Sequence, residues 1–207
     1  MSSYRLHYVP QSGNCYKAAL MLELTGQSWE PVFVDMFAGA TRTQEFMDFN
    51  VMNELPVLEH GDLVLTQSAL ILDYLAAETG RFGPADEAER REILRWLFWD
   101  NHKGSTQMAA SRFALNFVPQ DKQSGDVNAF LTARTRGGLK VLNRHLEGRD
   151  WVVADRPTIA DISICGYLFY PEALGYDAES FPAVAAWLER IRGLEGWQAP
   201  YDLMKAG

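Results

Sequence analysis

The sequence predicts two domains of different class: an α/β domain over residues 1–80, followed by an all-helical domain over residues 86–207. Two observations predict it. In the first part, short apolar segments alternate with helix-period segments in the order βαβαββα. From Pro84 onward strand signals nearly vanish and apolar residues recur at helical spacing, and this shift marks the boundary.

The elements follow in order. Leu6 to Val9 reads as a short buried strand, with Pro10-Gln11-Ser12-Gly13 as the loop after it. Ala18, Leu20, Met21, Leu22 and Leu24 then recur at helical period, and Gly26 is placed as the stop. Val32, Val34 and Met36 alternate as a second strand, and a helical crossover between two strands implies parallel pairing. Thr43 to Asn50 looks like a short amphipathic helix with Phe46, Met47 and Phe49. Val57 to Glu59 and Leu63 to Leu65 flank His60-Gly61-Asp62, which has hairpin chemistry. Ser68 to Glu78 is a helix closed by Gly80. In the second part, Asp86 to about Leu115 forms one long helix or a broken pair with Gly104 as the weak point. Stretches near Val127 to Leu146, Thr158 to Tyr170 and Pro182 to Ile191 supply further helices.

Composition narrows the function. With 47% hydrophobic and 12% aromatic residues in 207, the chain has enough apolar material for a substantial core. A formal charge of -8 disfavours binding to nucleic acid, which needs clustered Lys and Arg. The start MSSYRLHYVP has no basic region followed by an apolar core, and there is no apolar run of about 18 residues to span a membrane. The expectation is a soluble, cytoplasmic protein. Cys15 and Cys165 lie far apart, outside any CxxC or zinc-ligand spacing, so neither a disulfide framework nor a metal site is indicated.

Three short motifs point to a ligand site. Glu54-Leu55-Pro56 precedes a strand; proline cannot occupy a central strand, and a cis bond there would turn the Leu55 main chain outward as a peptide-shaped cradle. Ser12-Gly13-Asn14-Cys15 opens a helix, where free N–H groups and the dipole favour an anion such as a thiolate. Ser12 or Asn14 either caps this helix or donates to a sulfur, and the two roles are compatible. Cys15 is either a low-pKa nucleophile or a packed thiol. Gln67-Ser68 sits at another helix start, across one hairpin from Pro56. By contrast, Thr158 with Asp161 is a capping box and reads as a folding signal. The aromatic stretch from Trp96 to Phe113 is apolar over more than one helix face, and its residues are core, pocket or subunit interface.

Together the segments SGNCYKAALMLELTG, ELPVLEHGDLVLTQSALILDYL and TIADISICGYL resemble the cytosolic glutathione transferases of the serine-type, bacterial-like kind, across nearly the whole chain. The resemblance implies a thioredoxin-like N-terminal domain that holds glutathione as co-substrate, without a metal, and a helical domain that supplies a hydrophobic second-substrate pocket. It also implies a cytoplasmic homodimer that conjugates the glutathione thiolate to small hydrophobic electrophiles, a detoxifying chemistry. By the same resemblance Ser12, with Asn14, is the catalytic thiolate stabiliser. Leu55 and Pro56 bind the cysteinyl part, and Gln67 and Ser68 the γ-glutamyl end. Trp99, His102, Lys103 and Met108 are candidates for the second-substrate pocket. Asn53 and Glu54 depart from the family, whose members commonly have Gly and then Lys or Gln there. Glu54 is therefore expected to set a like charge against the glycine carboxylate, with Arg42 as the compensating cation. Alternatives are glutathione-dependent isomerase, peroxidase or disulfide reductase chemistry on the same fold, or a non-catalytic binding or interaction protein, which Glu54 would suit.

Overall fold

The structure, a computed structural model, describes residues 4–175 and 178–206. They divide into two compact units: residues up to Gly83 together with Leu194 onward, and Pro84–Gly193.

The first unit is a four-stranded sheet in the order β2-β1-β3-β4, with β1 Tyr4–Tyr8, β2 Trp29–Phe33, β3 Val57–His60 and β4 Leu63–Thr66. β1 and β2 run parallel, joined through helix α1, Gly13–Leu24, as the crossover requires. β1 with β3 and β3 with β4 are antiparallel, and the hairpin turns at Gly61, whose φ of 61° suits glycine. Period-two alternation puts Tyr4, Leu6 and Tyr8 on one face, all buried. Arg5 and His7 take the other, where the His7 ring lies 4.9 Å from Phe49 of α2, Gln44–Phe49. α1 packs against β1, against α3, Ser68–Thr79, and against α9, Pro200–Leu203, and so is apolar nearly all round.

β2 lies earlier than the Val32–Met36 alternation suggests, and Pro31 stands within it. That is tolerated because β2 is the sheet's edge strand. The C-terminal segment also departs from the expected division, which carried the helical domain to residue 207. It returns to the first unit, where the Tyr16 hydroxyl donates to the Gln198 carbonyl at 2.7 Å and the Tyr8 hydroxyl to the Lys205 carbonyl at 2.7 Å.

The second unit is helical. α4, Glu87–Trp99, starts from Asp86, whose carboxylate accepts from the Glu89 N–H at 2.8 Å. A π turn, Asp100–Gly104, separates α4 from α5, Ser105–Asn116, so the long helix is a broken pair. The cause is Asp100, 1% exposed, whose carboxylate accepts from the Ser105 N–H, the Ser105 hydroxyl and the Ser163 hydroxyl at 3.0, 2.8 and 2.6 Å. A Cβ at position 104 would fall 2.5 Å from that carboxylate, which leaves room for glycine. α6, Gly125–Leu146, follows. α7 covers only Ile159–Ile164 and tightens into a 3₁₀ turn at Cys165–Tyr167, short of the expected Tyr170. α8, Pro182–Arg192, completes the unit. At its centre Asp161 closes a capping box with Thr158 and also accepts from the Trp187 indole at 2.9 Å.

Candidate functional site

In the first unit, helix α1 begins from Ser12, which has extended backbone angles and an Oγ that accepts from the Cys15 N–H at 3.3 Å. Capping uses a lone pair of the oxygen and leaves the hydroxyl proton to donate. Ser12 and Asn14 are half-buried, whereas Cys15 is fully buried. Burial pushes the Cys15 thiol up to about 11, and hydrogen bonds to Ser12 and the Val9 main chain offset it only in part. At neutral pH this sulfur is a protonated, packed thiol. Of the two roles that sequence leaves open for Cys15, burial selects the structural one.

The second component is the loop from α2 to β3. The Leu55–Pro56 bond is cis. The Leu55 side chain packs against the cluster of Val34, Phe46 and Val57, which anchors the residue from within. Among the described residues no hydrogen bond engages the Leu55 main chain, so its N–H and C=O remain available to a ligand. Asn50, 2% exposed, holds the loop in shape: its side chain donates to the Glu54 carbonyl at 2.7 Å and accepts from the Met52 N–H at 3.0 Å. Sequence reasoning passes over Asn50, although an Asn bonding to the N–H two residues on is ordinary turn chemistry.

The third component is the start of α3. Ser68 is its first residue, and the Ser68 hydroxyl reaches Asn14 Oδ1 at 3.4 Å, which ties the N-termini of α1 and α3 together. Gln67 precedes it with φ of 68°, a region that non-glycine residues rarely adopt. Its amide donates to Glu54 Oε2 at 3.0 Å and to Met52 Sδ at 3.1 Å. Ser12, Asn14, Leu55, Pro56, Gln67 and Ser68 thus lie on three linked pieces of one unit. No hydrogen bond or ion pair among the described residues ties Arg42 to them. It is exposed at the end of the 3₁₀ turn Ala40–Arg42, and no ion pair between described residues links it to Glu54.

The second-substrate candidates separate in the helical unit. Trp99 and Lys103 line a cavity of about 320 Å³ with Gln107, Arg134, Gly138 and Val141. Met108 is buried in the core at 2% exposure, and His102 faces solvent; neither lines that cavity.

Comparison with known proteins identifies the family. Residues 2–77 match the family "Glutathione S-transferase, N-terminal domain", and residues 113–195 match "Glutathione S-transferase, C-terminal domain". Glutathione S-transferase theta-2 of Mus musculus is 29% identical over 175 residues, 79% of this chain and 70% of the relative. The disulfide-bond oxidoreductase YfcG of Escherichia coli is 29% identical over 194 residues, 90% of this chain and 89% of the relative. Among solved structures, a glutathione S-transferase of Xanthobacter autotrophicus superposes with a TM-score of 0.88 at 32% identity, covering 97% of this chain and 98% of the other. A glutathione transferase of Burkholderia graminis, solved with two glutathione molecules bound per subunit, gives 0.82 at 30% identity, covering 93% and 88%. With a thioredoxin-like sheet carrying a cis-proline loop, a helical second unit and family matches across both, the chain belongs to the cytosolic glutathione transferase family.

Proposed function

We propose that the chain is a glutathione transferase that adds the glutathione thiolate to small hydrophobic electrophiles. The observation that supports it most is the unengaged Leu55 main chain beside cis-Pro56, next to two tethered helix N-termini. An extended peptide can pair with that N–H and C=O, and the helix starts favour its anionic groups. In this reading Ser12 donates to the thiolate, assisted by Asn14. Ser68 and Gln67 hold the γ-glutamyl end, and Arg42 is left outside the contacts. The electrophile is held by the helical unit, where Trp99 and Lys103 line the cavity described above.

The arithmetic limits what Ser12 does. Lowering a thiol from about 8.5 to about 6.5 raises the ionised fraction at pH 7 roughly 25-fold. Lower basicity then removes about 6–10-fold in intrinsic reactivity, for a net gain of about 3-fold. Positioning and stabilisation of charge on the electrophile must provide most of the rate. Replacing Ser12 by Ala should raise the pH midpoint of thiolate formation in the glutathione complex, followed by the ultraviolet absorbance of the thiolate. An unchanged midpoint removes Ser12 from the mechanism.

The Escherichia coli relative, a disulfide-bond oxidoreductase covering 90% of this chain, favours one second reading: glutathione-dependent disulfide reduction on the same site. Turnover of mixed disulfides in excess of conjugation would select it. Neither cysteine of this chain suits an exchanging thiol, since Cys15 and Cys165 are both fully buried, so glutathione would supply the sulfur. We further propose a cytoplasmic homodimer, for which the exposed Phe98, Val127, Phe130 and Val141 of the helical unit provide apolar surface. Sedimentation of the purified chain tests it.

A further inference from the structure

Glu54 is expected from sequence to repel the ligand's glycine carboxylate, and its placement argues for a different role. Its Oε2 accepts from Gln67 Nε2 at 3.0 Å, so the charge stands beside the residue that opens α3. The buried Asn50 side chain fixes the Glu54 main chain at 2.7 Å, and Asn53 and Gln67 both hold positive φ, 54° and 68°. Among the described residues no Lys or Arg pairs with Glu54, so its charge is not neutralised from within the protein.

The hydrogen-bond inventory then decides what this corner recognises. A carboxylate can only accept, so the Gln67 atom facing Glu54 is its NH₂ group. That group has two hydrogens, and both are used, one on Glu54 and one on Met52 Sδ at 3.1 Å. Gln67 therefore offers a ligand only its carbonyl oxygen. The corner presents two acceptors, one of them charged, while the N–H groups at the start of α3 supply donors, the Ser68 hydroxyl already donating to Asn14 Oδ1. Acceptors beside donors match a zwitterionic amino-acid end.

We propose that Glu54 is the counter-charge for the α-ammonium of a γ-glutamyl ligand, with Gln67 Oε1 as the second acceptor and the Ser68 end of α3 receiving the α-carboxylate. This rests on the glutathione reading above and narrows the ligand to γ-glutamyl thiols with a free α-amino group. Glu54 is then a specificity-determining residue that supports affinity.

The test is calorimetry on the whole chain, wild type and Glu54→Gln, with glutathione and with glutaryl-cysteinyl-glycine, which lacks only the α-amino group. Wild type should bind the deamino ligand about 3- to 10-fold more weakly, the range for a partly solvated charge-assisted hydrogen bond. Glu54→Gln should lose a similar factor toward glutathione and bind both ligands equally. The wild-type discrimination should shrink as salt is raised. Tighter glutathione binding by Glu54→Gln, or the same discrimination in both proteins, overturns the proposal while leaving the glutathione reading intact. Absence of glutathione binding by wild type overturns both. Circular dichroism checks that the near-isosteric variant is folded.

Discussion

Asp161 is the position where removing a few atoms should be felt most. Its carboxylate is 0% exposed and accepts four hydrogen bonds: Oδ1 from the Val152 N–H and the Trp187 indole, both at 2.9 Å, and Oδ2 from the Thr158 N–H and hydroxyl at 2.8 and 3.1 Å. Asp161→Ala leaves three buried groups that can only donate, namely two amides and an indole. At about 1–3 kcal/mol for each unsatisfied donor, and with water entering part of the space, the loss should be about 3–6 kcal/mol. That is a large fraction of the ~5–15 kcal/mol that keeps a domain folded. Asp161→Asn should lose much less. Placed with its oxygen toward Val152 and Trp187 and its NH₂ toward Thr158, asparagine orphans the Thr158 N–H, while the Thr158 hydroxyl reverses to accept and gives up its own donation. The expected loss is about 1–3 kcal/mol. Urea unfolding of both variants, followed by tryptophan fluorescence and far-ultraviolet circular dichroism, measures the two values. Equal losses for Ala and Asn, or a loss below about 1 kcal/mol for Ala, would refute the donor-counting argument.

Further outcomes follow from buried groups. The Cys15 thiol is raised from 9.0 to about 11 by burial, so between those pH values the unfolded chain releases a proton that the folded chain keeps. Stability should therefore fall by roughly 3 kcal/mol as pH rises from about 9 to about 11, and Cys15→Ala should remove that part of the slope. A thiol reagent at neutral pH should label neither cysteine before unfolding. Arg112, whose side chain is 3% exposed, pairs with Glu172 at 2.8 Å and lies over the Tyr170 ring at 4.0 Å, so Arg112→Ala should destabilise the helical unit by about 3–5 kcal/mol. Lysine should not restore it, because a point charge cannot both stack and fork; recovery by Arg112→Lys in thermal unfolding contradicts this.

The elements that sequence reveals are those whose signals are local. The hairpin at Gly61, the Gly80 stop of α3 and the Thr158–Asp161 box each depend on residues within a few positions of one another. β2 is displaced in the sequence reading because Pro31 looks disqualifying until the strand is known to lie at the sheet edge. The C-terminal segment is misassigned because its attachment to Tyr8 and Tyr16 spans 197 and 182 residues, and nothing in its own composition records that. At the candidate site, the helix starts at Ser12 and Ser68 and the boundary at Pro56 are legible. The pairing of Glu54 with Gln67 is not, because it joins side chains 13 residues apart across the β3–β4 hairpin, next to positive-φ backbone at Asn53 and Gln67. A charge read on its own suggests repulsion, but its partner gives it another meaning. Likewise Arg42, basic and nearby in sequence, is exposed at the end of its 3₁₀ turn and makes no ion pair with Glu54 among the described residues.

The return of the chain's last segment to the first unit affects the order in which the protein can be made. Residues Pro84–Gly193 form an inserted body whose contacts are all synthesised before the body that surrounds it in sequence is complete. During vectorial synthesis α1 waits for Gln198, which accepts from Tyr16, and β1 waits for Lys205, which accepts from Tyr8. The candidate site is thus carried by a unit that gains its Gln198 and Lys205 contacts only after residues 84–193 have been made.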